Sequence, residues 1–171
     1  MSLSKNLNIK HPFFQDLYKA YDDYLNSKAA LINKRLEFYN LIMYTVLEDN
    51  QDPVQMKLKV SGFVKLLEET EGIAFAKIEL IFRHQANNNQ YYTFFVFNWF
   101  QATNNLDNIL ECPIYHIQKP EESYWTKIFP INFIDHAPCV HFVHNCTNTC
   151  TIRHDETNRS YILNKFYYNA V

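Results

Sequence analysis

The second half of this chain concentrates the side chains that could bind a metal. All four cysteines and five of the seven histidines fall between residues 112 and 154. Cys146-x3-Cys150-x3-His154 places three soft ligands at short spacing, and His144 lies just before them. Tetrahedral zinc sites are built from cysteine and histidine ligands of this kind. These four residues are therefore the zinc candidates of the sequence.

The same residue types also admit a purely structural interpretation. No two cysteines have the C-x2-C spacing that is typical of zinc ribbons. Cysteine often serves as a small buried apolar residue, and a strand histidine such as His141, two residues after Cys139, can be satisfied by hydrogen bonds. We therefore expect no metal and no cofactor, and a metal site remains the alternative.

Catalytic motifs are absent from the sequence. With only two glycines, Gly62 and Gly72, the chain has no glycine-rich phosphate loop and no G-x-S-x-G turn, and H-E-x-x-H is also missing. A cysteine–histidine dyad, for example Cys139 with His116, would have to assemble through the fold and leaves no local signature. The sequence therefore predicts a protein that is not an enzyme and has no catalytic residues.

Charge and aromatic content argue against autonomous binding to nucleic acid. The net charge is −2, from 16 basic and 18 acidic residues. The two signs are interleaved and form no basic stripe, whereas strong backbone binding needs several Lys or Arg contacts. The aromatic run Tyr91–Phe100 contains no Lys or Arg, so it favours core packing over base stacking.

The N-terminal sequence predicts an intracellular protein, cytoplasmic or nuclear. Residues 1–12 lack the apolar segment of a signal peptide. No run approaches the roughly 18 apolar residues of a transmembrane helix, so no membrane partner is expected. The four cysteines are then expected to be reduced thiols.

A long antiparallel hairpin is the clearest structural element. Residues 76, 78, 80 and 82 are apolar, whereas residues 77, 79 and 83 are Lys, Glu and Arg, which places one apolar face on the sheet and the other face toward water. After the polar connector 83–90, Tyr91–Phe100 is apolar on both faces and reads as an inner strand. We expect both Phe97 and Trp99 to be buried.

Other segments give shorter elements. Pro12 can open a helix over residues 12–27, in which Phe14, Leu17, Tyr18, Tyr21 and Leu25 follow helical spacing. We expect a helix up to about Lys34, followed by a strand through Leu47. Further strands are predicted over residues 54–60, 113–117, 131–134, 139–144 and 160–168. Residues 63–69 read as a short helix or loop, and residues 102–111 read as a polar loop.

Together these elements predict an α+β fold. An N-terminal helix or helices, in a segment 1–34, precede a partly closed antiparallel β barrel formed by a β-rich module, residues 35–171. The alternative is a helix-packed curved sheet, such as a cone-like pocket fold.

Several short motifs, in order, carry a resemblance to a known type of protein tail. Phe75-Ala-Lys-Ile-Glu-Leu-Ile-Phe82 and Tyr92 to Phe100 resemble a "FAKIExFF…hALVxWY" pattern. The later matches are Cys112-Pro113, Pro130–Ile134 and Val140–Val143, similar to "CPxxxL…xxIxxI…VHIVPRF", and Ser160–Phe166, similar to "EYxVNKF". From about Leu36 onward the chain thus resembles the C-terminal module of fungal mobile-element-derived proteins, near transposases of the Kyakuja-Dileera-Zisupton type.

The resemblance has one clear departure. The usual Pro-Arg-Phe after the "VHIV" strand is replaced by His144-Asn-Cys146, and the segment 145–159 that follows is unusual. The catalytic core of those transposases lies elsewhere in their chains, so the resemblance implies an accessory module without transposase chemistry.

We therefore expect a noncatalytic interaction module, derived from a mobile element, that contacts protein or chromatin partners. The alternative is a metal-binding or small-ligand-pocket protein, which includes the case of an enzyme. The sequence predicts a protein partner and leaves the oligomeric state open.

Overall fold

The computed structural model describes residues 12–25, 35–47, 52–68, 72–119, 127–135, 141–144 and 159–164. These residues form one α-helix, α1 (Pro12–Leu25), and ten strands. The strands are β1 (Leu36–Tyr39), β2 (Leu41–Val46), β3 (Val54–Lys59), β4 (Phe63–Glu68), β5 (Gly72–Gln85), β6 (Tyr91–Leu106), β7 (Pro113–Ile117), β8 (Ile128–Pro130), β9 (Phe142–His144) and β10 (Ser160–Leu163).

The predicted hairpin is confirmed as β5 and β6, which are neighbours in the sheet. Its turn is closed by the Ala86 N–H, which donates to the Gln90 carbonyl at 2.8 Å. Phe97 is fully buried and Trp99 is 4% exposed, as the sequence predicts. The predicted faces of β5 are wrong at Leu80, which is 41% exposed, and at Lys77, which is buried instead of facing water.

Two segments, one predicted as a short helix or loop and the other as a polar loop, form strands instead. Residues 63–68 form β4, which pairs with β5 from Phe63↔Lys77 to Glu68↔Gly72. Residues 102–106 extend β6, which pairs with β7 through Ala102↔Tyr115 and Leu106↔Pro113. Both predictions fail for the same reason, since the partner strand supplies ladder hydrogen bonds that the local sequence does not reveal.

The strand predicted to run through Leu47 is divided at Asn40. β1 pairs with β5 in the large sheet, whereas β2 pairs with β3 in a separate two-stranded sheet. The Asn40 carbonyl at the break accepts a hydrogen bond from the Val60 N–H at 2.9 Å. The chain therefore changes sheets within a segment whose alternation looks continuous.

The C-terminal strand predictions are confirmed only in part. Residues 131–133 form a 3₁₀ helix rather than a strand, after β8, which pairs with β6. Pro130 has no N–H and cannot donate a hydrogen bond to a neighbouring strand, which favours the end of β8 and a tight turn directly after it. β9 and β10 lie within the predicted ranges 139–144 and 160–168, but His141 and Asn164 are not in strands. Residues 139–140 and 165–168 lie outside the described part of the chain.

The predicted α+β class is confirmed. Among the described residues, eight strands share one sheet, with the main order β1-β5-β6-β7-β10-β9, and β4 and β8 pair with β5 and β6. The strand pairs β1–β5, β4–β5, β6–β7, β6–β8, β7–β10 and β9–β10 are antiparallel, and the curled, partly open sheet fits the predicted barrel.

The chain divides into two compact units, and strands β5 and β6 contribute residues to both. Unit 1 comprises residues 1–62, 78–97 and 125–136, and unit 2 comprises residues 63–77, 98–124 and 137–171. The boundary predicted near residue 34 falls next to residues outside the described part, and it stays a prediction.

Unit 1 is built around the apolar stripe of α1. Phe14, Leu17, Ala20 and Tyr21 are buried in one cluster with strand residues. The other buried members of the cluster are Leu36, Phe82, Ala86, Phe94 and Ile128. The predicted helical spacing is therefore confirmed, except at Tyr18, which is 37% exposed. The buried stripe also includes Ala20.

Unit 2 has an aromatic core of its own. Phe100 and Phe142 stack with ring centroids 4.3 Å apart and an interplanar angle of 10°. Phe63, Tyr115 and Tyr161 pack around them. This cluster fixes β6, β7, β9 and β10 against one another and so provides the base from which the β6–β7 hairpin extends.

Candidate functional site

Three of the four zinc candidates, Cys146, Cys150 and His154, lie outside the described residues. The fourth, His144, is half-buried in β9, with its ring centroid 6.3 Å from that of Tyr161. Among the residues that the structure describes, no group of three or more His, Cys, Asp and Glu side chains could hold a metal ion. The zinc hypothesis therefore stays a prediction about the segment after β9.

The other cysteine and histidine candidates are spread over unit 2. Cys112 is a buried free thiol directly before β7, and His116 lies in β7 opposite Ser160. His141 Nδ1 lies 3.2 Å from Asn164 Nδ2, and the Asn164 N–H donates to the His141 carbonyl. Cys139, suggested as a dyad partner for His116, lies outside the described residues.

Among the described residues, exposed apolar side chains lie close together at the end of the β6–β7 hairpin, residues 106–111, which we name the hairpin tip. Leu106 is 57% exposed, Ile109 is 88% exposed and Leu110 is 47% exposed. Single apolar residues on a surface need no explanation, but three of them on one short turn form a small apolar projection.

The hairpin tip is held in shape by the side chain of Asp107. Its Oδ1 accepts hydrogen bonds from the Ile109 N–H at 3.0 Å and the Leu110 N–H at 2.8 Å. The Asp107 carbonyl also accepts the Glu111 N–H, and the Asp107 N–H donates to the carbonyl of buried Cys112. An aspartate that bonds the backbone beyond it defines the turn without help from a partner. The apolar side chains are thus displayed on a preorganised turn.

Two non-glycine residues with positive φ flank this turn. Asn104 has φ 62° where the β6–β7 register shifts, and Glu111 has φ 50° at the base of the tip. Asparagine tolerates the left-handed region better than most residues, and a β-bulge redirects a strand. The register shift therefore helps to set the direction in which the tip leaves the sheet.

The hairpin tip is acidic as well as apolar. Asp107 and Glu111 carry its charges, and no Lys or Arg occurs between Phe100 and Lys119. The sequence predicts a polar loop over residues 102–111 and does not indicate a site there. The available signal was the apolar pair Ile109-Leu110 directly after the turn residues Asp107-Asn108, a place where a loop usually carries polar residues.

A second polar cluster lies in unit 1, on β1, β5 and β6. Glu37 Oε2 accepts hydrogen bonds from Arg83 Nη2 at 2.6 Å, Arg83 Nε at 3.1 Å and the Tyr39 hydroxyl at 3.0 Å. The Arg83 guanidinium also lies over the Tyr91 ring, 4.4 Å from its centroid.

The charges in this cluster favour a structural role. The hydrogen bond from Arg83 lowers the pKa of Glu37, and burial followed by the hydrogen bond to Glu37 raises the pKa of Tyr39. Both pKa values move away from neutrality, which is the opposite of what a general acid or base requires. Glu37 and Arg83 are directly opposed on β1 and β5, so the pair stabilises the strand register.

The described part of the chain contains no helix with the length and apolar character that a membrane crossing requires. Comparison of this chain with protein-family models, with curated proteins and with solved structures finds no match.

Proposed function

We propose that this chain is a noncatalytic interaction module, derived from a mobile element, that binds a protein or chromatin partner through the hairpin tip. The observation that carries the proposal is the 88% exposure of Ile109 on a turn built by Asp107. The ordered resemblance to mobile-element tails supports the origin and the accessory role.

The energetics of the hairpin tip suit binding. Burying an exposed isoleucine against a partner stabilises a complex by about 1.5–3 kcal/mol. Because the Asp107 hydrogen bonds already define the turn, little loop ordering opposes this gain. A rigid apolar side chain that enters a partner pocket is a typical energetic centre of an interface.

The charge of the hairpin tip indicates the chemistry of the partner. Asp107 and Glu111 flank the apolar side chains and would meet the rim of the partner's pocket. Electrostatic complementarity then calls for an apolar pocket with basic residues at its edge.

Photo-crosslinking in cells tests this proposal. A photoreactive amino acid at position 109 is compared with the same residue at position 88, in the polar turn between β5 and β6, where Asn88 is exposed. We expect a discrete crosslinked protein from position 109 and none from position 88.

The contact is then remeasured with purified components. Ile109→Asp should weaken the affinity for the crosslinked protein by about 10–100-fold, which is the loss of one buried isoleucine converted to a binding constant. Equal crosslinking from both positions, or unchanged affinity of the Ile109→Asp variant, would contradict the proposal.

A further inference from the structure

The two-stranded sheet of unit 1 exposes a face of mixed character. In β2 and β3, Leu41 is opposite Lys59 and Met43 is opposite Lys57. Because directly opposed residues project from the same face, these four residues share one face. We name it the ribbon face, and its members, with Thr45 and Gln55, are all exposed.

The ribbon face differs from the other face of the same two strands. On that other face Leu58 is buried and Tyr44 and Met56 are half-buried. On the ribbon face Met43 is 62% exposed and Leu41 is 41% exposed. An apolar row along β2 thus lies beside a basic row along β3, and exposed methionine adapts readily to a binding partner.

The ribbon face and the hairpin tip are complementary in both respects. The hairpin tip presents Ile109 and Leu110 beside the acids Asp107 and Glu111. The ribbon face presents leucine and methionine beside two lysines. An apolar, acidic projection therefore has a matching apolar, basic surface on the same kind of chain.

We propose that the hairpin tip binds the ribbon face of a second copy of this chain. This inference rests on the proposed function, because it names the partner of the same hairpin tip. Lys57 and Lys59 supply the basic rim that the acids of the tip require. An anionic lipid surface or a nucleic-acid backbone would satisfy the ribbon face but would repel the tip.

The geometry of such a contact constrains the assembly. The tip and the ribbon face are different surfaces, so a one-way contact between copies is heterologous, whereas a two-fold exchange of tips is isologous. Two copies that exchange tips make a closed dimer, whereas one-way contacts add copies in a row. In both cases association increases with protein concentration and decreases with salt, since the rim contacts are charged and exposed.

A charge-reversal experiment with the full chain tests the contact. The ribbon variant is Lys57→Glu with Lys59→Glu, and the tip variant is Asn108→Lys with Glu111→Lys. Asp107 is kept because it builds the turn. Each variant alone should associate at least about tenfold more weakly than the wild type, by sedimentation equilibrium, because like charges then oppose each other.

The mixture of the two variants provides the decisive measurement. In the mixture, the unchanged acidic tip of the ribbon variant can bind the unchanged basic ribbon face of the tip variant. The basic tip of the tip variant can likewise bind the acidic ribbon face of the ribbon variant. We expect the mixture to recover association close to that of the wild type. Circular dichroism of each variant verifies the fold. If a double variant unfolds, it is replaced by a single substitution at an exposed residue, Met43→Glu for the ribbon face or Ile109→Asp for the tip. Each of these single substitutions must then weaken association.

Three results would overturn the inference. They are a wild-type chain that stays monomeric at its highest soluble concentration, folded variants that associate like the wild type, and a mixture that associates no better than its components. A monomeric chain that still yields a different crosslinked protein from position 109 would remove this inference and leave the proposed function standing.

Discussion

The hydroxyl oxygen of Tyr21 lies 2.7 Å from Nδ1 of His84, inside the core of unit 1 and 63 residues away in the sequence. Both side chains are 1% exposed, and the Tyr21 ring packs edge-on against Phe94 at 5.1 Å. Burial is the main cause that raises the pKa of Tyr21, so the phenol stays neutral and can donate to an unprotonated Nδ1. This hydrogen bond joins helix α1 to strand β5.

Removing the Tyr21 hydroxyl should destabilise the protein. Tyr21→Phe keeps the ring but takes away a buried hydrogen-bond partner of His84, which costs about 1–3 kcal/mol. Urea denaturation measures the change in the free energy of unfolding. The control is Tyr91→Phe, whose ring is 51% exposed, with an expected effect within about 0.5 kcal/mol. Equal effects of the two substitutions would show that the buried contact contributes little.

Substitution of Trp99 should lower the stability of the protein more than substitution at most other positions in β6. It is 4% exposed, and Trp99→Ala should lower the free energy of unfolding by about 3–5 kcal/mol through lost packing. Ile109→Ala, on the hairpin tip, is the apolar control, and because Ile109 is 88% exposed its effect should be small. Amide exchange should also show the β5–β6 hairpin opening no earlier than α1, and the reverse order would contradict its central place in the sheet.

The Glu37–Arg83 pair should give a pH-dependent contribution to stability. The pKa of Glu37 is lowered in the folded state, so its contribution is present above the ordinary value of 4.5 and disappears as pH falls through the lowered pKa. Near neutral pH, the urea midpoint of unfolding should therefore be higher for the wild type than for Glu37→Gln. The difference between the two midpoints should become smaller in acid. The Arg83→Met variant lacks the hydrogen bond that is the main cause of the lowered Glu37 pKa. In that variant, the effect of Glu37→Gln on the urea midpoint should therefore depend little on pH. A difference that grows in acid would refute the assignment.

Folding should not require metal. A structural zinc contributes on the order of 10 kcal/mol, so its removal would unfold a domain that depended on it. We expect an excess of chelator to leave the circular dichroism spectrum unchanged. Loss of structure with stoichiometric zinc release would instead favour the site at Cys146, Cys150 and His154, with His144 as a neighbour.

The isolated chain should bind duplex DNA only weakly. Tight backbone binding needs about six or more phosphate contacts and shows a steep salt dependence. The 16 basic residues are offset by 18 acidic ones. Fluorescence anisotropy with a random duplex at near-physiological salt is the check. Submicromolar binding that weakens sharply with salt would contradict this expectation, and Lys57→Glu with Lys59→Glu would then show whether the ribbon face is responsible.

Several elements could be predicted because the information is local. The apolar residues of α1 recur at helical spacing, and the run from Tyr91 to Phe100 is apolar on both faces. Periodicity of this kind reports directly which faces of an element meet the core. Helix α1, the β5–β6 hairpin and the buried Phe97 and Trp99 therefore follow from the sequence.

Strand partners and the candidate site depended on the tertiary structure. The polar residues 102–106 have no local reason to be extended, yet they pair with β7, and Asn40 separates strands that join different sheets.

The α+β class and the main hairpin follow from residue spacing alone, because the spacing of apolar residues shows which faces of a helix or strand are buried. The exposure of Ile109 and the hydrogen bond between Tyr21 and His84 become visible only in the tertiary structure. Backbone pairing and contacts between residues far apart in the sequence depend on which segments the fold brings together.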